Sequence, residues 1–301
     1  MEEKLTIMAP AKVNLTLRIT GRRGDGYHEL ESLVAFAGCG DTLELAKAST
    51  TRLSVEGPGV SGSDIVPADE TNLIMRALRA LEAHIGKPLV TDICLHKSLP
   101  VAGGLGGGSA DAAAVLNAVT RLFDLDVSDS ARVGIAVDLG ADVPACLAPG
   151  PCWMTGTGTD VTRLQNLPAA DIVLVNPRVG LPTGPVFAAL SHHDTPPARR
   201  SPPPALSDFG ELCDFATRQG NDLAAPAIEK VPEIGACLVA LRNSGAACVG
   251  MSGSGASCFG LAQSGDGLEI AAAYRKARED DWCAASRLIG TRDAELAQLY
   301  Q

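Results

Sequence analysis

The sequence predicts an α+β protein of two domains, and three observations carry that reading. Val13, Leu15, Leu17 and Ile19 alternate with polar neighbours, the period of a half-buried strand. Between Asn72 and Ile85, the side chains of Ile74, Ala77, Leu78, Leu81 and Ile85 fall on one face of a helix. The run Asp171–Asn176 then opens a new apolar strand after a long mixed segment. A division into residues 1–160 and 161–301 follows, with no low-complexity linker between the halves.

In chain order, Leu5 to Ile19 reads as strands interrupted by Pro10, and Gly21 to Gly26 as a polar turn. Short strands follow near Leu33–Phe36, Asp41–Leu45 and Arg52–Val55, joined too closely for anything but antiparallel pairing. Asp92–His96 is another strand. The next helix is expected to open at Ser109 and to bury Ala112, Leu116, Val119 and Phe123. Ser128 is placed to cap a further helix that stops at Gly140. His192–Ser207 is rich in proline and reads as an exposed connection, its paired histidines included. Helices are expected over Asn221–Lys230, Ile234–Asn243 and Ile270–Glu279, and Cys248–Leu261 reads as strand, loop and strand.

Composition narrows the function classes. With 46% hydrophobic and 20% charged residues in 301, the chain has enough apolar material for a core in each half. A net charge of -10 excludes the basic footprint of a nucleic-acid binder. Nine cysteines without a CxxC pair suit reduced, buried thiols, and hence a cytoplasmic protein. No apolar run reaches the length of a membrane span, and the charged start Met1–Leu5 is not that of a signal peptide.

Leu99 to Ala113 holds the densest chemical signal, five glycines within six positions ahead of a helix. Glycine backbone comes close to a ligand, and a helix start offers free N–H groups to an anion. The run lacks the Lys-Ser/Thr ending of a Walker loop and the spacing of a dinucleotide fingerprint. Ser109 is placed to donate to a phosphate or to ligate Mg2+, to cap the helix, or to do both. Two further stretches are ambiguous alone. Lys12 in Pro10–Leu15 reads as a solvated strand lysine, and Asp142 in Gly140–Pro144 as a cap ahead of a proline-led helix.

Together these stretches resemble the GHMP kinases, as does the late loop Gly250-Met251-Ser252-Gly253-Ser254-Gly255-Ala256-Ser257. Pro10–Leu15, Gly24-Asp25-Gly26-Tyr27-His28, Gly140–Pro144, Leu181-Pro182-Thr183 and Gly220-Asn221-Asp222-Leu223 resemble the branch acting on 4-diphosphocytidyl-2-C-methyl-D-erythritol. The resemblance covers Ala9 to Phe259. It implies a two-domain GHMP kinase fold, with an N-terminal domain like domain 2 of ribosomal protein S5 and a ferredoxin-like C-terminal domain. It also implies ATP as phosphate donor, Mg2+, and a step in the non-mevalonate route to isoprenoid precursors.

By that resemblance, Asp142 takes the proton of the attacking hydroxyl and Lys12 stabilises the developing alkoxide. Asn14, Tyr27, His28 and Thr183 contact the acceptor, Tyr27 by stacking on cytosine and His28 at its edge. Asn72, Lys97 and the run Val101, Ala102, Gly103, Gly104, Leu105, Gly106, Gly107, Gly108, Ser109, Ala110, Asp111 hold ATP, with Asn72 near the purine. Asp111 departs from the asparagine of many relatives and is expected to face away or to help hold the ion. No HExxH, Cys/His cluster or paired-carboxylate motif marks a tightly held metal. The expected partners are the two small molecules, with the chain a monomer or weak homodimer. The rival readings are a homoserine- or mevalonate-type kinase, which needs no base-binding turn, and a non-catalytic nucleotide-binding regulator, which needs no Lys12/Asp142 pair.

Overall fold

The computed structural model describes residues 4–59, 66–190 and 205–290. A seven-stranded sheet is built on β3 (His28–Lys47), a 20-residue strand spanning both segments expected to be separate. Its antiparallel neighbours are β1 (Lys4–Asn14), β2 (Arg18–Arg22), β5 (Thr91–His96) and β6 (Cys152–Thr155). β7 (Asp160–Arg163) pairs with β6, so the strand at the expected domain division belongs to this sheet. β4 (Arg52–Glu56) corrects the all-antiparallel expectation. It runs parallel to β5, because α1 (Leu73–Ile85) lies between them and supplies the crossover.

Pro10 does not interrupt β1. Pairing slips between Pro10 and Lys12, where Pro10 faces Gly40 and Lys12 faces Phe36. Such an irregularity exchanges the two faces of a strand. Before it, Ile7 and Ala9 enter the core beneath the helices; after it, Ala11, Val13 and Leu15 enter a second core. Lys12 and Asn14 are thereby turned toward the helix side. Gly40 permits this approach, since a Cβ there would lie 2.1 Å from the Ala9 carbonyl oxygen.

Helices cover that face. In α1, Asn72 caps the first turn by accepting from the Ile74 N–H at 2.9 Å, and Gly86 ends the helix with φ 75°. α2 (Gly107–Leu122) opens two residues before Ser109, at an N-cap Gly106 without a side-chain cap bond, so the glycines form its first turn. Residues 110–119 of α2 are buried throughout, as befits a helix enclosed by sheet, α1 and α4 (Val143–Cys146). Ser128 caps α3 (Asp129–Leu139) as expected, accepting from Ala131 N–H.

The C-terminal half holds a four-stranded antiparallel sheet in the order β11-β8-β10-β9, from β8 (Asp171–Asn176), β9 (Cys248–Met251), β10 (Cys258–Ala262) and β11 (Trp282–Arg287). Every residue of β8 is buried because its two faces serve different cores. Ile172 and Leu174 join Val13, Leu33 and Trp153 between the two sheets, whereas Val173 and Val175 pack with the helices. Those helices are α5 (Thr183–Ala188), α7 (Ala224–Lys230), α8 (Glu233–Asn243) and α9 (Gly267–Ala277), whereas α6 (Phe209–Gln219) adds Leu212, Phe215 and Ala216 to the core with Ile172 and Leu174. β11 has no counterpart in the sequence reading. Most of the proline-rich connection, with His192 and His193, lies outside the described residues.

Gly40→Ala is expected to lower stability by roughly 3 kcal/mol or more, because backbone rather than a flexible side chain blocks the new methyl. Urea unfolding checks this; a variant within about 0.5 kcal/mol of the parent would show that the Pro10 irregularity does not need glycine opposite it.

Candidate active site

The two halves enclose a cleft of about 780 Å³, within the usual range for small-molecule sites. Its floor is the segment from Pro100 into the first turns of α2. Gly106 adopts φ 63°, and a Cβ on it would meet Lys12 Cβ at 3.0 Å, so the loop lies directly on Lys12. The Lys12 N–H donates to the Leu105 carbonyl at 2.9 Å, which fixes loop and strand together.

Lys12 is only 2% exposed, contrary to the reading of a solvated strand lysine. Its Nζ donates to Asp142 Oδ1 at 2.7 Å and to Asn14 Oδ1 at 3.2 Å. A buried ammonium requires such partners, since removing one from a buried pair costs several kcal/mol. Asp142 stands at the start of α4 without a side-chain cap bond, so the capping role gives way to the ion pair. Its side chain keeps 41% exposure. The pair is thus asymmetric: a sealed cation, and a carboxylate open to the cleft.

Asn14 is occupied at both ends of its amide, accepting from Lys12 and donating to Ser32 Oγ at 2.7 Å. It lines the cleft and at the same time orients Lys12. Tyr27, 68% exposed, lines the cleft near Leu30 and Phe187. His28 is not part of the lining; its ring lies 5.1 Å from that of Phe187. Thr183, in the first turn of α5, shares a hydrogen bond with Ser254 across 2.9 Å.

On the loop side, Val101, Ala102, Gly103, Gly104, Gly106, Gly107, Gly108 and Ser109 all line the cleft. Leu105 and Ala110 do not; they are 1% and 2% exposed and anchor the loop in the core. Asn72 lines the cleft too, but its amide is engaged by the α1 cap and by the Pro67 carbonyl at 2.6 Å. Lys97 is buried, with Nζ 2.5 Å from Asp41 Oδ2 and 3.0 Å from Asp111 Oδ2. Burial pulls its ammonium down, but Asp111 and Asp41 outweigh that and leave it raised.

Asp111 therefore does not face away: its carboxylate turns inward, buried at the edge of the cleft, and pairs with the Lys97 ammonium. Among the described residues, Glu56, Cys94 and His96 bring ligand-type atoms within 4.8 Å of one another, but none of the three lines the cleft. All nine cysteines are free thiols.

Several organising residues carried no assigned role in the sequence reading. Ser252, fully buried, accepts from the Asn14 N–H at 3.1 Å and donates to the Gly104 carbonyl at 2.8 Å. It joins the strand of Lys12, the glycine loop and the late loop. The Ser257 N–H donates to the Gly103 carbonyl at 2.9 Å, so the two loops face each other. Asn221 holds the late loop from behind, donating to the Met251 and Gly253 carbonyls, both at 2.8 Å. Asp41 shares the parity of Leu43 and Leu45 in an apolar alternation, a sign that its carboxylate is directed into the core.

The GHMP kinases N terminal domain matches residues 72–150, and the GHMP kinases C terminal domain matches residues 204–280. A 4-diphosphocytidyl-2-C-methyl-D-erythritol kinase of Mesorhizobium japonicum is 41% identical over 95% of this chain and 96% of its own. The enzyme of that name from Jannaschia sp. is 46% identical over 78% of this chain and 79% of its own. A crystal structure of 4-(cytidine 5'-diphospho)-2C-methyl-D-erythritol kinase superposes with a TM-score of 0.77 at 32% identity, covering 95% of this chain and 100% of that one. A mevalonate kinase, at TM-score 0.66 and 11% identity, shares the fold. With its glycine loop, its Lys12–Asp142 pair and this kinship, the chain belongs to the 4-diphosphocytidyl-2-C-methyl-D-erythritol kinase family of the GHMP kinases.

Proposed function

We propose that the protein transfers the γ-phosphate of ATP to the 2-hydroxyl of 4-diphosphocytidyl-2-C-methyl-D-erythritol, giving the 2-phosphate and ADP, in the non-mevalonate route to isoprenoid precursors. The observation that carries this reading is the Lys12–Asp142 contact at 2.7 Å, set in one cleft with both the glycine loop and Tyr27. The loop and the first turn of α2 receive the triphosphate on backbone N–H groups and the positive helix end. The acceptor enters from the side of Tyr27 and Thr183, its cytosine stacked on Tyr27 and its hydroxyl directed at Asp142.

In the transfer, the acceptor oxygen bonds to the γ-phosphorus, the bond to the β-phosphate bridge oxygen breaks, and ADP leaves. Asp142 accepts the hydroxyl proton through its open carboxylate. Lys12 holds Asp142 in place and offsets negative charge on the attacking oxygen. Positioning and electrostatics do most of the work in such transfers. Mg2+ enters as part of the substrate, complexed to the β- and γ-phosphates. Both predicted carboxylates of the cleft, Asp111 and Asp142, are already paired with lysines, which fits an ion held chiefly by the nucleotide. The nine free thiols support a reducing, cytoplasmic setting. The chain works as a monomer or weak homodimer.

Two outcomes test this reading. Asp142→Asn should keep affinity for the acceptor, by calorimetry, while kcat falls by about 10²- to 10⁴-fold; near-normal turnover removes Asp142 from the chemistry. CMP or CDP should compete with the acceptor, and Tyr27→Ala should weaken that inhibition by roughly 5- to 150-fold, the range for one stacked base. Absence of inhibition by either cytidine nucleotide eliminates the base-binding turn.

A further inference from the structure

A second buried ion cluster lies beneath the glycine loop, apart from Lys12 and Asp142. Lys97 follows β5 directly, and its Nζ donates to Asp41 Oδ2 at 2.5 Å and Asp111 Oδ2 at 3.0 Å. The other oxygen of Asp41 accepts from the backbone N–H groups of Ser98 at 2.6 Å and Leu99 at 2.9 Å. Asp41 thus fastens both Lys97 and the chain that enters the loop. Asp111 hangs from α2, whose first residue touches the same cluster: a Cβ on Gly107 would lie 3.2 Å from Lys97 Nζ and 3.4 Å from Asp41 Oδ2.

The charges do not balance. One ammonium faces two carboxylates, and the three side chains are at most 5% exposed. Asp111 Oδ1 is buried with no hydrogen-bond partner. Burial, reinforced by Asp41 against the pull of Lys97, pushes the Asp111 carboxyl up to about 7. The other elements packed on α2 do not relieve it. β1 presents Lys12, whose ammonium is directed to Asp142. The buried face of α1 carries Ile74, Ala77, Leu78 and Leu81, and α4 carries Val143, Pro144, Ala145 and the Cys146 thiol, which burial holds protonated.

We propose that Asp41 and Asp111 are positioning residues for the donor nucleotide, and that Asp111 takes up a proton when a triphosphate settles on the loop above it. The proposal rests on the ATP-binding reading above. With Asp111 ionised, the cluster carries a net negative charge directly under an anion site. With Asp111 neutral, it carries none, and its hydroxyl gains a proton to donate from an oxygen that now has no partner. A bound triphosphate adds negative charge overhead and so favours the neutral form. Linkage makes the effect reciprocal. Nucleotide affinity is highest where free Asp111 is protonated, below about pH 7, and falls as pH rises through that value until the bound-state value is passed. The limiting slope is about tenfold per pH unit for one proton.

Calorimetry of the full-length chain with Mg2+ and the β,γ-imido analogue of ATP, without acceptor, tests this at pH 8, where the nucleotide itself is fully ionised. Titrations in two buffers of different ionisation enthalpy give the protons exchanged. The expected result is net uptake approaching one proton, with Kd rising by about tenfold or more from pH 7 to 9. Asp111→Asn, a neutral isostere, should abolish the uptake and flatten the profile. Equal uptake in that variant, or none in the parent, overturns the proposal; should the variant fail to fold, the parent's proton count still decides. Binding without proton uptake removes this inference alone, whereas no binding of the analogue removes the nucleotide reading and this inference together.

Discussion

The site depends on one constraint, that the ammonium of Lys12 is buried at 2% exposure and must be neutralised where it lies. Asp142 meets that need at 2.7 Å from a helix start 130 residues further along the chain. The requirement ties the strand, the short helix α4 and the glycine loop into one arrangement. An unpaired ammonium there would cost several kcal/mol, so the folded state keeps Lys12 and Asp142 in contact. Because Asp142 alone of the pair stays open to the cleft, the energetic anchor and the proposed proton acceptor are two ends of the same contact.

The cleft is held from both halves of the chain. Ser252 links the Lys12 strand to the glycine loop, Asn221 fastens the late loop, and a core containing Val13, Leu33, Ile172 and Leu174 lies between the two sheets. Few of these contacts involve groups free to meet a ligand. Most position backbone, which suits a reaction in which orientation and fixed dipoles supply the rate. In the proposed reaction the two buried lysines divide the work: Lys12, paired with Asp142, serves the acceptor side, and Lys97, clamped by Asp41 and Asp111, underlies the triphosphate side.

Local chemistry was readable in the sequence where it was decided locally. Ser128 caps its helix as read, because a side-chain oxygen three residues ahead of an N–H needs no distant partner. The glycine run, Lys12 and Asp142 were visible as residues, and kinship gave them their expected roles. Their long-range settings were not visible. The burial of Lys12 follows from a pairing slip that depends on Gly40, a residue of another strand. Asp142 looks like a cap because nothing in its neighbourhood announces Lys12. The parallel pairing of β4 needed the crossover through α1, and β11, with Ala284, Ala285 and Ser286, has little strand propensity of its own and pairs because β8 offers an edge. Asp111 is the clearest case: its charge suggested a place facing away, and its buried pairing with a lysine fourteen residues away was not visible.

The most direct test of the account is phosphorus NMR of the protein with MgATP and 4-diphosphocytidyl-2-C-methyl-D-erythritol. The account predicts one new phosphomonoester resonance on the methylerythritol unit for each ADP formed, with the cytidine diphosphate signals retained. ATP left intact, or ADP appearing only with inorganic phosphate, would contradict it.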